Sequence, residues 1–205
     1  MKIKSSFFIA VVIGSFLLLS SFSGKDYRQT IGNKNFSCVP DLKDEAERIV
    51  INNEYSVKIP SHMTKNNDLN SEASLQYADL KEELYIIVID ESVSEFVEAF
   101  KNEKGWNTSM TSAENYRRVQ LSNMKKKMKF KGKPVIEKTK AGSLATEIVD
   151  FKGKVSGIDA LIAYKIGFLE CNDKLYMIMT WTTNDMLSKN NSEMNMMIKS
   201  FRSEI

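Results

Sequence analysis

The residues best suited to chemistry in this sequence are few, and they begin with a single histidine, His62, in the segment after Pro60. A Ser-His-Asp or Cys-His catalytic set would have to use this imidazole. We expect His62 to lie on a solvated loop instead. A zinc site is disfavoured as well, because one histidine and two distant cysteines do not have the spacing of zinc ligands.

The acidic pairs and one serine–lysine motif are more typical of surface turns than of catalysis. The acidic pairs at 82–83 and 90–91 fall at a predicted turn and at a predicted strand end, where carboxylates are usually solvated. Ser122 and Lys125 match the S-x-x-K spacing of penicillin-recognising enzymes, but the partner motifs of those enzymes are absent from the chain. The sequence therefore predicts no enzyme activity, no catalytic residue, no cofactor and no metal site.

The strongest concentration of charge is the stretch 115–133, NYRRVQLSNMKKKMKFKGK, which has eight basic side chains and no acidic one. It predicts either a solvated helix face or a surface that contacts an anionic partner, such as the surface of an anionic membrane. The candidate contact residues in this stretch are Arg118, Lys125, Lys126, Lys127 and Lys129. Nucleic acid is disfavoured as the partner, because the lysines are not interleaved with aromatic residues that could stack on bases.

Trp106, in the loop EKGWNTS, is a further candidate contact residue. Large aromatic side chains often anchor protein interfaces. Packing in the core is the simpler explanation of a tryptophan, and both interpretations are kept.

The N-terminus has the pattern of a bacterial secretory signal. Lys2 and Lys4 precede an apolar run at 7–22 that ends in small residues. This run is shorter than the roughly 20 residues of a membrane-spanning helix, which favours cleavage after Ser23 over a retained anchor. We therefore expect a periplasmic or secreted protein, whose net charge falls from +3 to +1 when Lys2 and Lys4 are removed.

The mature chain would have three properties that bear on its organisation. Cys38 and Cys171 can form a disulfide in an oxidising compartment or stay as two unpaired thiols. The length suits a single core. We expect a signal peptide at 1–23, a polar linker segment at 24–53 and one packed domain at 54–205.

Alternating apolar residues predict strands through most of the packed domain. Two segments, 84–90 and 175–181, are apolar on both faces, so each is expected in the centre of a sheet that is covered on both sides. The sequence FKGK occurs at 130–133 and again at 151–154, where we expect its glycines to form tight turns. The predicted strands are 54–60, 74–79, 84–90, 133–141, 143–151, 157–170 and 175–181.

Three helices are expected between and after these strands. The first follows a capping box of Ser92 and Glu95 and stops at Gly105. The second runs from about Thr111 to Met128 and is amphipathic. The third is predicted to start at a capping box of Asn190 and Glu193 and to bury Met194, Met197, Ile198 and Phe201.

This order of elements predicts an α+β fold, in which helices cover both faces of a mainly antiparallel sheet of six or seven strands, an α/β/α sandwich. The segments YSVKIPSHM, YIIVID followed by a helix, YKIGFLECNDKLYMIMTW and MMIKSF together resemble the PsbP-like family over residues 54–202. That family includes an extrinsic photosystem II subunit, and its fold is shared with a small nuclear Ran-binding protein. Since known members act by binding proteins, the resemblance implies a non-catalytic module with a protein partner at the cell envelope. The alternative is a binder of an anionic or amphiphilic ligand, such as a lipid headgroup or an acidic glycan.

Overall fold

The computed structural model describes residues 46–103 and 106–205 as ten strands and three helices with one short 3-10 turn at Asn184–Met186. The strands are β1 (Ala46–Ile51), β2 (Tyr55–Pro60), β3 (Thr64–Lys65), β4 (Leu75–Asp79), β5 (Leu84–Ser92), β6 (Met128–Ala141), β7 (Leu144–Val155), β8 (Leu161–Cys171), β9 (Lys174–Thr183) and β10 (Arg202–Ser203). The helices are α1 (Val93–Phe100), α2 (Ser112–Lys127) and α3 (Leu187–Lys199). No helix in this part of the chain is long and apolar enough to cross a membrane.

The main sheet has seven strands in the order β3-β4-β5-β9-β8-β7-β6, and every neighbouring pair is antiparallel. The two segments predicted to be central, now β5 and β9, lie side by side in the middle. Strand β6 is one edge of the sheet. The predicted α+β class with a mainly antiparallel sheet is therefore confirmed.

A second, three-stranded sheet has the order β1-β2-β10. The predicted strand at 54–60 belongs to this smaller sheet, since β2 pairs with β1 in the register Ala46↔Pro60 to Ile51↔Tyr55. Residues 46–51 were assigned to a linker by the sequence, and that assignment is wrong for them. Their pairing with β2 shows that the packed domain extends at least to Ala46.

Both faces of the main sheet are covered, as predicted. Along β5, Ile87 and Ile89 contribute to one apolar cluster, while Ile86 and Val88 contribute to the other. The first cluster includes buried residues of α1 and α2, and the second includes those of α3 and β2. The alternation of side chains along a strand thus places two helices on one face, and α3 with the small sheet on the other.

Helix α2 begins with a capping box. Thr111 Oγ1 accepts a hydrogen bond from the backbone N–H of Glu114, and the Glu114 carboxylate accepts one from the backbone N–H of Thr111. At the start of α1, Ser92 caps the backbone N–H of Glu95, as predicted. Gly105, the predicted stop of α1, lies outside the described residues.

Two local predictions are wrong. Asn190 does not cap α3 but lies within it, buried, donating to the carbonyl of Glu82 and to Thr182 Oγ1. The two FKGK segments do not form turns at their glycines, because they pair with each other in the register Phe130↔Gly153 and Lys131↔Lys152. A Cβ atom on Gly153 would lie 2.8 Å from Met128 Sδ, so this glycine provides room for the methionine.

Candidate functional site

A cavity of about 540 Å³ lies where α2 ends and β6 begins, and we call it the basic groove. Five lysines line it, against one acidic residue, Asp159. The lysines are Lys125, Lys126, Lys127, Lys129 and Lys154. Because they come from a helix and two strands, a net positive charge is focused in one concave surface.

The junction between α2 and β6 fixes these side chains. Met128 is both the C-cap of α2 and the first residue of β6, with extended backbone, so the helix passes into the strand without a loop. Its side chain is buried. Lys125, Lys126 and Lys127 therefore precede a buried anchor, and Lys129 follows it directly. The preference of a helix C-terminus for cations also favours three lysines in the last turn of α2.

The electrostatics of the groove are set by its lysines. The ammonium group of Lys125 lies 5.7 Å from the ring centroid of Phe130, a cation–π distance. Partial burial lowers the pKa of Lys127. Within the described residues, none of Lys125, Lys126, Lys129 and Lys154 forms an ion pair with a carboxylate. These groups can therefore bind an external anion without first breaking an internal pair.

A smaller cavity, the tryptophan cavity, adjoins the groove and has a volume of about 260 Å³. Its lining includes Trp106, Arg118 and Lys126, and Lys126 lines the basic groove as well. Trp106 is half-buried, with its ring centroid 6.0 Å from that of Phe96 in the core. The contact with Phe96 agrees with the interpretation that Trp106 packs on the core. The rest of its surface lines the cavity beside Arg118 and Lys126.

The structure thus places the six predicted contact residues in two adjoining cavities: Trp106 and Arg118 line one, Lys125, Lys127 and Lys129 line the other, and Lys126 lines both. Arg117, counted among the charges of the same stretch, instead turns inward and donates to Glu147 on β7 at 2.6 Å. Sequence reasoning missed Lys154. The signal that could have found it is the second FKGK segment, whose pairing with the first places Lys154 opposite Lys129.

His62 lies between two carboxylates rather than on a solvated loop. Its Nδ1 is 2.8 Å from Asp79 Oδ2 and its Nε2 is 3.2 Å from Glu193 Oε1, and 26% of the side chain is exposed. Burial of the Asp79 carboxyl alone would raise its pKa. The backbone N–H of Glu82, the His62 ring and the backbone N–H of Lys81 outweigh that effect and lower the pKa. Because its two ring nitrogens contact the carboxylates of Asp79 and Glu193, His62 links the end of β4 to α3.

The other acidic candidates also have structural contacts. Asp90 pairs with Lys174 at 3.0 Å, and Glu82 pairs with Lys189. Glu91 is largely buried beneath Tyr116, whose hydroxyl donates to it at 2.8 Å, and burial raises the pKa of its carboxyl. No group of three or more His, Cys, Asp or Glu side chains among the described residues could hold a metal ion.

The predicted cysteine pair is only partly visible. Cys171 is half-buried at the end of β8 and is free within the described part of the chain. Cys38 and the predicted signal peptide lie outside the described residues. The disulfide and the cleavage after Ser23 therefore stay predictions.

Comparison with known proteins identifies the fold. No protein-family model matches the chain, and no curated protein matches it. The cyanobacterial PsbP of Synechocystis sp. PCC 6803 is similar in structure with a TM-score of 0.51 at 14% sequence identity, covering 82% of this chain and 98% of that one.

Two further solved structures are similar at lower scores. The Ran-binding protein Mog1p of Saccharomyces cerevisiae has a TM-score of 0.45 and 9% identity, covering 78% of this chain and 95% of that one. LpqN, involved in cell envelope biogenesis of Mycobacterium tuberculosis, has a TM-score of 0.39 and 10% identity, with coverages of 79% and 87%. The likeness to the cyanobacterial protein shows that this chain has the PsbP-like fold that its sequence predicts.

Proposed function

We propose that the protein is an exported, non-catalytic module that binds an acidic partner protein through the basic groove. The observation that carries the proposal is the convergence of five lysines on one cavity with a single acidic residue in its lining. Export is supported by the signal pattern at 1–23. A non-catalytic role is supported by the contacts of His62, whose two ring nitrogens both lie on carboxylates.

The lysines of the groove are not all explained by the end of a helix. Elsewhere some cations are paired within the protein, for example Lys165 with Asp150 at 2.7 Å and Lys174 with Glu54 at 2.7 Å. A solvated helix end explains the lysines of α2, because cations stabilise a helix C-terminus. It does not explain Lys129 and Lys154, which come from two strands. Their addition makes a recognition surface for negative charge the better interpretation.

A protein partner is favoured by the neighbouring tryptophan cavity. Trp106 and Arg118 are of the residue types that dominate the energetics of protein interfaces, and they lie in a pocket beside the charged groove. Charged groups around such an anchor set the orientation and the association rate of a partner. The two cavities together fit a partner that inserts a side chain beside Trp106 and lays acidic residues along the groove.

The first prediction concerns capture of the partner. We expect the triple variant Lys125→Gln, Lys126→Gln, Lys129→Gln to retain at most about a tenth of the partner that the unmodified protein retains. Three exposed ion pairs at roughly 0.5 kcal/mol each amount to about that factor. The measurement is affinity capture from an envelope extract of the source cells, quantified by mass spectrometry at low and at physiological salt.

The matched control removes the same charge elsewhere. Lys58, Lys65 and Lys81 are exposed and lie outside both cavities, so their replacement by glutamine should leave capture unchanged. A set of captured proteins that is the same for the groove variant and the unmodified protein would contradict the proposal. Captured proteins with no excess of acidic residues would contradict it as well.

A second candidate function is contact with an anionic membrane surface, and the specific observation in its favour is Trp106 beside Arg118 and Lys126. Tryptophan is enriched at the membrane–water interface, and basic residues near an anionic surface contribute about 1 kcal/mol each. We expect the unmodified protein to co-sediment with anionic vesicles at low salt and less at physiological salt. Equal sedimentation of the unmodified protein and the groove variant would rule out this function, and neutral vesicles serve as the control.

A further inference from the structure

A third cavity, of about 280 Å³, lies between the edge of the main sheet and the start of α3. We call it the bulge cavity. It is on the face of the sheet opposite to α1 and α2, because its lining includes Leu187 and Met194 of α3. It shares no lining residue with the basic groove or the tryptophan cavity.

An irregularity in the β6–β7 ladder shapes this cavity. The register runs from Lys131↔Lys152 to Val135↔Asp150, so residues 132–134 stand opposite the single residue Phe151. Gly132 makes the bulge feasible, since its φ of +80° lies in a region that other residues rarely adopt. Bulges of this kind re-aim side chains and are frequent beside binding sites.

The mouth of the cavity is positively charged. Lys131 and Lys152 stand directly opposite each other in the ladder, an arrangement that is unfavourable for like charges. Lys133, within the bulge, also lines the cavity. The deeper Lys165 is already neutralised by Asp150 at 2.7 Å. An anion at the mouth would offset the repulsion between the three outer lysines.

Behind the outer lysines, the lining also has an apolar part. Val135 leaves 66% of its surface exposed, although it is a large aliphatic residue, and Leu187 and the buried Met194 line the same cavity. A free inorganic anion would leave these groups without a partner. A ligand with an anionic head and a short alkyl chain would use both parts of the lining.

We propose that the bulge cavity binds a small amphiphile with a phosphate or carboxylate head. The head lies on Lys131, Lys133 and Lys152, and the first part of the chain lies against Val135, Leu187 and Met194. The volume is just below the range for small-molecule sites, about 300–1,000 Å³, which fits a head with a short length of chain. This site is distinct from the proposed one, because none of its lining residues lines the basic groove or the tryptophan cavity.

The lysines have a competing explanation, since charged residues and proline on an edge strand prevent pairing with other chains. Strand β6 is such an edge, with Pro134 in its bulge. Protection of the edge explains the charges but not the apolar cavity between β6 and α3. The contribution of the alkyl chain to binding therefore separates the two explanations.

The test is isothermal titration of the full chain with octyl phosphate below its micelle concentration, with inorganic phosphate as the chain-free probe. We expect octyl phosphate to bind at least about tenfold more tightly than inorganic phosphate, the factor that burial of two methylene groups gives. Lys133→Gln with Lys152→Gln should weaken octyl phosphate binding at least about tenfold. The same exchange at Lys58 and Lys65 should leave it unchanged.

A second variant tests the cavity without removing charge. Asn191 is exposed on α3 and lines the cavity, so Asn191→Trp should block it while α3 remains folded, as circular dichroism would verify. Vesicles containing phosphatidic acid separate the sources of the head: octyl phosphate binding together with vesicle binding that Asn191→Trp reduces identifies a membrane lipid, and octyl phosphate binding with vesicle binding that Asn191→Trp leaves unchanged identifies a free amphiphile. Equal affinity for octyl phosphate and inorganic phosphate would overturn the proposal, as would unchanged affinity in the folded Asn191→Trp variant.

Discussion

Replacing Phe201 by alanine is expected to lower the free energy of unfolding by about 3–5 kcal/mol, the range for truncating a large buried aromatic residue. The ring is 0% exposed and lies just after α3. Its centroid is 5.3 Å from that of Tyr55 in a stacked pair and 4.9 Å from that of Tyr176. These contacts join the small sheet, α3 and the main sheet, so the cavity left by alanine would open where three elements meet.

Urea denaturation followed by circular dichroism measures this loss, with Ile205→Ala as the matched control. Ile205 is 79% exposed and lies four residues further along the chain, so its truncation should change the free energy of unfolding by less than about 0.5 kcal/mol. A loss below about 1 kcal/mol for Phe201→Ala would contradict the described packing. It would mean that the end of the chain is not an integral part of the core.

Burial of Phe201 is one of the features that the sequence predicts correctly, and the reason is its periodicity. Met194, Met197, Ile198 and Phe201 recur at helical spacing, and all four are buried. In the same way, apolar residues on both faces of β5 and β9 predict two central strands. Such patterns recur over several consecutive helical turns or pairs of strand residues. Burial can therefore be predicted from them without knowing which distant segments the element packs against.

Features that depend on distant partners could not be predicted from local pattern. The segment AERIVI is not such a feature: four of its six residues are apolar and it pairs with β2 across a short turn at 52–54, so its signal was local and was missed. Asn190 resembles a helix cap, but its side chain has partners at Thr182 and Glu82, outside the helix. The 3-10 turn at Asn184–Met186 then starts α3 earlier than any capping pattern indicates.

The candidate site was predictable to a similar degree. Charge density alone selects Lys125, Lys126, Lys127 and Lys129, because they are consecutive or nearly so. It cannot select Lys154, which is close only through strand pairing, and it cannot show that Trp106 meets Arg118 and Lys126 in one cavity. Nor can it show the opposite orientation of Arg117, whose role depends on Glu147, 30 residues further along the chain.

The inward orientation of Arg117 leads to the second large prediction: Arg117→Met should lower the free energy of unfolding by about 3 kcal/mol. Arg117 and Glu147 are 12% and 11% exposed, and the Arg117 Nε to Glu147 Oε2 distance is 2.6 Å. Removing one partner of a buried ion pair leaves an uncompensated charge, which costs about 3–5 kcal/mol. We expect the low end of this range, because the ammonium group of Lys138 remains 3.7 Å from the Glu147 carboxylate. Lys138 is well exposed.

The double variant Arg117→Met with Glu147→Met separates the charge effect from a packing effect. Replacing both members of a buried pair by apolar residues is often neutral or stabilising, so the double variant should recover to within about 1 kcal/mol of the unmodified protein. Urea denaturation of the four proteins in the cycle gives the coupling energy between the two positions. If the double variant is as unstable as Arg117→Met, the arginine holds α2 by its aliphatic stem and not by its charge.

The comparison also bears on function, because Lys125, Lys126 and Lys127 are carried by the same helix. A double variant that is stable and still captures the proposed acidic partner would show that the groove needs α2 in place but does not need this ion pair.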